Sequence, residues 1–183
     1  MSSNSKSYNN LSEMLDAAQV MGKFQNIHNL IRKDYMQLLD LTESYKEDQV
    51  SFDALYRASL RSLFSLIEAD ISGLNTLDGY PGFDDRKHSF IFKFKKTYKQ
   101  IAKTWNKEEI QQRYFSVKIE ALMALKQMRD ELVHPKDETH IHSASLESFE
   151  KLKSVFKDYD DFVNDLMNNF FVRVSLPINR NSI

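Results

Sequence analysis

An arginine and a histidine stand five positions apart in Met128-Arg129-Asp130-Glu131-Leu132-Val133-His134-Pro135. Those two side chains suit phosphate chemistry. A guanidinium grips phosphate oxygens in a planar fork and stays charged. An imidazole moves a proton near neutral pH. Turning about 100° per residue from Ile119 gathers Leu122, Leu125, Leu132 and Val133 on one apolar face, with Glu120, Gln127 and Glu131 opposite. Arg129 falls in the middle of the apolar face, where a guanidinium is rare unless paired or bound to something. Asp130 precedes His134 by one helical turn, so its carboxylate can reach the imidazole, orient it and favour its protonated form. Pro135 disfavours helical dihedrals at His134, so the helix is expected to end there and free the ring to turn toward Arg129. A helix-end Arg–Asp or Asp–His pair that only fixes the following loop fits the same spacing.

Arg129-Asp130, three further residues and His134 resemble the signature of the HEPN superfamily: an Arg, four to six residues and a His, with a polar Asn, Asp or His directly after the Arg. In that family the motif closes a helix and is followed by a turn and another long helix, the layout read here. Asp130 stands where Asn is commoner. The resemblance covers this motif and an all-helical plan of suitable length. It implies metal-independent RNA cleavage, with no cofactor, in which two subunits of a homodimer bring their Arg/His pairs together. The 2′-hydroxyl attacks the adjacent phosphate; His134 is the general acid or base, Arg129 stabilises charge on the phosphate, and Asp130 positions one or the other. HEPN-like chains also serve as non-catalytic modules that bind nucleotides, RNA or a partner protein such as an antitoxin. The motif would then be structural.

The elements that must hold this motif are helical. Four glycines and three prolines leave little room for strands and tight turns. The expectation is an all-α, antiparallel bundle of four to five long helices, HEPN-like, in a single domain over residues 1–183, with 1–9 and 176–183 as flexible tails. A first helix runs from about Leu11 to Tyr45 on Val20, Phe24, Ile27, Ile31, Tyr35 and Leu38, with Gly22 a candidate bend and His28 a core-edge residue. Ser51 reads as the N-cap of a second, about Phe52 to Leu77, whose stripe is flanked by Arg57, Arg61 and Glu68 on one side and Asp70 on the other. Glu68 or Asp70 is the candidate acid to compensate Arg129; a solvated rim of charges is the plainer reading. Asp78 to Asp85 reads as a connector. A short helix, Glu108 to Tyr114, leads into the motif helix from about Ser116 to Val133, and a last helix spans about Leu146 to Val172. Its Phe149, Leu152, Phe156, Tyr159, Val163, Leu166 and Phe170 alternate steps of three and four, a heptad seam that must pack along another long helix.

Residues 86–107 are the second candidate region. Arg86, Lys87, Lys93, Lys95, Lys96, Lys99, Lys103 and Lys107 carry eight positive charges with no acid among them, in a chain whose net charge is −1. On a helix Phe90, Phe94, Tyr98, Ile101 and Trp105 turn inward and leave the lysines outward. Such a face is either merely solvated or an electrostatic track for RNA, with Lys93, Lys95, Lys96, Lys99 and Lys103 as its contacts. Asp158, Asp160, Asp161 and Asp165 on the last helix are candidate counter-charges. His140 and His142 with His134 offer metal ligands, but no fourth ligand is evident, so no metal is expected. The chain has no cysteine, which excludes disulfides and thiolate catalysis and fits a reducing cytoplasm. It has no apolar run long enough to span a bilayer, so no membrane partner is expected.

Overall fold

In the computed structural model, residues 7–77, 87–168 and the backbone of 173–174 are described. The expected connector Asp78–Asp85, Arg86, Phe170 and the tail 176–183 lie outside them. The described residues form six helices: α1 Leu11–Ser44, α2 Gln49–Leu77, α3 Phe90–Thr104, α4 Glu108–Val117, α5 Ile119–Val133 and α6 Leu146–Met167. A single 3-10 turn, Glu138–His140, lies between the last two. Within the lead-in expected to be loose, Ser7–Tyr8 pairs in parallel with Arg173–Val174, and Tyr8 is buried.

The chain is an all-α bundle built around α2, which packs against α1, α3, α5 and α6. A central helix must be apolar on several sides, and Phe52, Tyr56, Leu60, Leu63, Phe64, Leu66, Ile67, Ile71 and Leu74 are all buried. Each such side chain contributes about 1.5–3 kcal/mol on leaving water. Long-range pairs set the directions. Thr42 meets Ser59 and His28 meets Asp70, so α1 and α2 are antiparallel. Glu43 meets Lys153 and Arg32 meets Asp160, so α1 and α6 are antiparallel. It follows that α2 and α6 run the same way. The seam residues Phe149, Leu152, Phe156, Tyr159, Val163 and Leu166 are buried within the same chain, with Phe149 edge-on to Phe52 and Phe156 edge-on to Tyr35. Gly73 allows the closest approach of α1 and α2: a Cβ there would lie 2.5 Å from Phe24 Cδ2. Helix α1 continues through Gly22.

Three boundaries differ from expectation; at one of them α4 runs on to Val117 and α5 starts at Ile119, each three residues past the expected limits at Tyr114 and Ser116. Helix α2 starts at Gln49, and its first turn is capped by Asp48, whose carboxylate accepts from the Val50 N–H and the Ser51 hydroxyl. Ser51 is therefore a helical residue serving the cap, because the acid three positions earlier is the stronger acceptor. Helix α6 ends at Met167 and not at Val172: Asn168 takes an extended backbone (φ −65°, ψ 138°) that the apolar periodicity does not reveal.

One polar chain crosses the core. Asp70 on α2 accepts from the Tyr159 hydroxyl at 2.7 Å and faces His28 Nδ1 at 2.8 Å, while the Tyr98 and Tyr159 hydroxyls are 2.6 Å apart. Burial, reinforced by the Asp70 charge, pushes both phenols well above their ordinary value of 10. Burial raises Tyr35 and Tyr114 in the same direction. An acid whose folded pKa is raised holds its proton in the folded state where the unfolded chain has lost it, so stability present below about pH 10 falls as pH rises. Denaturant melts at pH 7 and pH 11 are expected to show a loss of up to about 1.4 kcal/mol per tyrosine for each pH unit above 10. Equal midpoints at the two pH values would contradict the burial of these phenols.

Candidate functional site

The last turn of α5 carries the motif, and α2 supplies what it packs against. His134 is the residue after the helix, with φ −128° and ψ 60°; its N–H still donates to the Asp130 carbonyl at 2.9 Å. Pro135 therefore ends the helix where expected. Beyond the last turn the His134 side chain is exposed, and it forms no hydrogen bond or ion pair among the described residues.

Arg129 lies in a different setting. Its side chain is only 18% exposed. Nη2 donates to Glu68 Oε1 at 2.5 Å, Nη1 donates to Asp130 Oδ1 at 3.1 Å, and the guanidinium carbon sits 5.4 Å from the centre of the Phe64 ring. Two carboxylates and an aromatic face thus fix the guanidinium on the apolar side of α5. Glu68 is the compensating acid. Asp70, the other candidate, is turned away into the core toward His28 and Tyr159.

Asp130 does not reach His134. Its carboxylate is held by Lys126, one turn earlier, and by the adjacent Arg129. Two cationic donors on the helix outcompete an imidazole that has left it. Asp130 consequently positions Arg129. The i to i+4 spacing of Lys126 and Asp130 was present in the sequence as the signal for this pair.

Around the same helix end, Arg61 Nη2 donates to the Leu132 carbonyl at 3.3 Å and Arg57 Nη1 donates to the His142 carbonyl at 3.3 Å. Arg57 also lies 3.9 Å from Asp53. The three nearby histidines have separate surroundings. His142 Nε2 meets Glu131 Oε2 at 2.8 Å, and His140 Nδ1 accepts from the Lys136 N–H at 3.0 Å. The Gln127 amide, with His142, holds the Glu131 carboxyl below its ordinary range. Among the described residues no group of three His, Asp or Glu gathers as a metal would require.

The basic helix adjoins this site at one end. The Phe90 ring, at the start of α3, lies 5.5 Å from Phe64 and 5.8 Å from Lys126 Nζ. Phe90, Phe94, Tyr98 and Ile101 are buried and Trp105 is half-buried, as the periodicity requires. Lys95, Lys96, Lys99 and Lys103 are exposed, Lys93 is half-buried, and Lys96 lies over the Phe92 ring. The α6 acids do not serve these lysines. Asp158 pairs with Lys118, Asp160 with Arg32, Asp161 with Lys157 and Asp165 with Arg113. Lys107 donates to the Asp165 and Asn168 carbonyls. Lys95, Lys99 and Lys103 have no carboxylate partner among the described residues.

Comparison of the chain with known protein families, with curated proteins and with solved structures found no match. None of the helices described is long and apolar enough to cross a membrane.

The clamp on Arg129 is measurable. A double-mutant cycle of Arg129→Ala and Glu68→Gln, read by denaturant unfolding, is expected to give a coupling of about 0.5–1 kcal/mol, the scale of a half-exposed ion pair. Arg129→Ala alone should cost more than Glu68→Gln, since it also removes the contact with Phe64. Strictly additive single changes would show that the pair carries no energy.

Proposed function

We propose that the chain is a metal-independent endoribonuclease of HEPN type. What supports this reading is one arrangement: an exposed imidazole, His134, with no side-chain partner among the described residues, at the end of the same helix that carries a rigidly held guanidinium, Arg129. Cleavage by 2′-hydroxyl attack needs a group that accepts the 2′ proton, a group that protonates the departing 5′-oxygen, and positive charge at the phosphorane-like transition state. His134 moves a proton, and a second His134 from a homodimer partner supplies the complementary step. Arg129 stabilises charge, and Asp130 and Glu68 hold its plane. The exposed lysines of α3 hold the RNA backbone. A toxin–antitoxin or defence setting, with a partner protein that restrains the activity in the cytoplasm, suits such an enzyme.

One observation favours a second reading. Glu68 and Asp130 already meet the Arg129 charge, as in a module that binds nucleotide, RNA or protein without cutting. The two readings separate in one assay. Purified protein with labelled RNA in EDTA is expected to cut, and His134→Ala to lose at least about a hundredfold in rate, the scale of a lost general acid or base. Cleavage that survives the substitution excludes the site; binding by the unaltered chain without cleavage selects the second reading. RNA affinity should also fall at least about tenfold on adding 150 mM salt, through counterion release from the lysines. Salt-independent binding would place the contact elsewhere.

A further inference from the structure

The charges around the end of α5 do not leave Arg129 free to act as the phosphate anchor. Arg129 and Lys126 face Glu68 and Asp130, two cations against two carboxylates. Arg57 is shared between Asp53 and a carbonyl. Glu131 is taken up by Gln127 and His142. The helix end itself presents carbonyls and the negative pole of the macrodipole, about half an elementary charge, which repels an anion. A phosphate approaching His134 therefore needs a cation that these groups have not already neutralised.

Arg61 is such a cation, and unlike the exposed Lys136 its side chain is tied to the helix end by a hydrogen bond. It is exposed, and among the described residues its guanidinium has no carboxylate partner. Its one side-chain hydrogen bond goes to the Leu132 carbonyl, two residues before His134, which holds it at the same helix end. That bond uses one of five N–H donors and leaves a fork for phosphate oxygens. Resting on the ribonuclease reading above, we infer that Arg61 is the residue that anchors the RNA phosphate beside His134 on binding, while Arg129, clamped by Glu68 and Asp130, is left to stabilise the charge that develops during cleavage. The spacing of the motif does not reveal Arg61, because it comes from α2.

The test is a fluorescence-anisotropy titration of the full chain with a short labelled 2′-O-methyl RNA, which binds but cannot be cut, at several salt concentrations. Arg61→Gln is expected to weaken binding about tenfold and to reduce the salt slope by about one, the signature of one lost phosphate contact. Arg61→Lys should keep the slope, since the charge remains, and both variants should melt within a few degrees of the unaltered protein. Unchanged affinity and slope in Arg61→Gln, with binding by the unaltered chain intact, overturn the inference and leave the ribonuclease proposal standing. Equal weakening in both variants together with a large drop in melting temperature also overturns it, since Arg61 would then only cap the helix. If the unaltered chain binds no RNA at low salt, the ribonuclease proposal fails and takes the inference with it.

Discussion

The carboxylate of Asp70 is the constraint on which the bundle turns. It is 1% exposed and is shared by His28 of α1 and Tyr159 of α6, with Tyr98 of α3 hydrogen-bonded in turn to Tyr159. A buried charge of this kind persists only when its partners are in place, and removing one of them leaves a costly uncompensated group. Asp70 therefore fixes α2 in register against three other helices. That register carries Arg57, Arg61, Phe64 and Glu68 along α2 to the points where α5 needs them. The surroundings of the end of α5 are in this sense set by a group buried behind it.

Given that register, the chemistry at the helix end divides by location. Arg129 lies inside the helix and near the core, so it is clamped by Glu68, Asp130 and Phe64. His134 lies one step beyond the helix, where Pro135 has stopped it, and stays open to solvent. A rigid guanidinium and an open imidazole are complementary properties for a proton-transfer site. The exposed lysines of α3 begin on the far side of the Phe64–Phe90 contact, so the basic helix and the motif share a base of packed aromatics.

Much of this was legible in the sequence because helical burial follows period. The α6 seam from Phe149 to Leu166 and the inward face of α3 are buried as the spacing requires. The stop at His134 was legible because proline restricts the residue before it. Pairings across the bundle were not. Glu68 and Asp70 flank the same stripe two residues apart, yet one meets Arg129 at the surface and the other is sealed with His28 and Tyr159. Only the direction and depth of neighbouring helices decide between them. Asp130 had two possible partners at helical spacing, and Lys126 wins over His134 because it lies within the helix and the imidazole does not. Arg61 was visible only as a flanking charge, since the carbonyl it donates to belongs to another element.

The chain has five histidines, which makes its side-chain NMR spectrum a direct reporter of the central claim that the end of α5 is where RNA is bound. The measurement is a titration of histidine ring signals with an uncleavable 2′-O-methyl RNA. The His134 signals are expected to move with increasing RNA, while those of His28, buried between α1 and α2, stay in place. Saturating RNA binding that leaves the His134 signals unmoved would contradict the account.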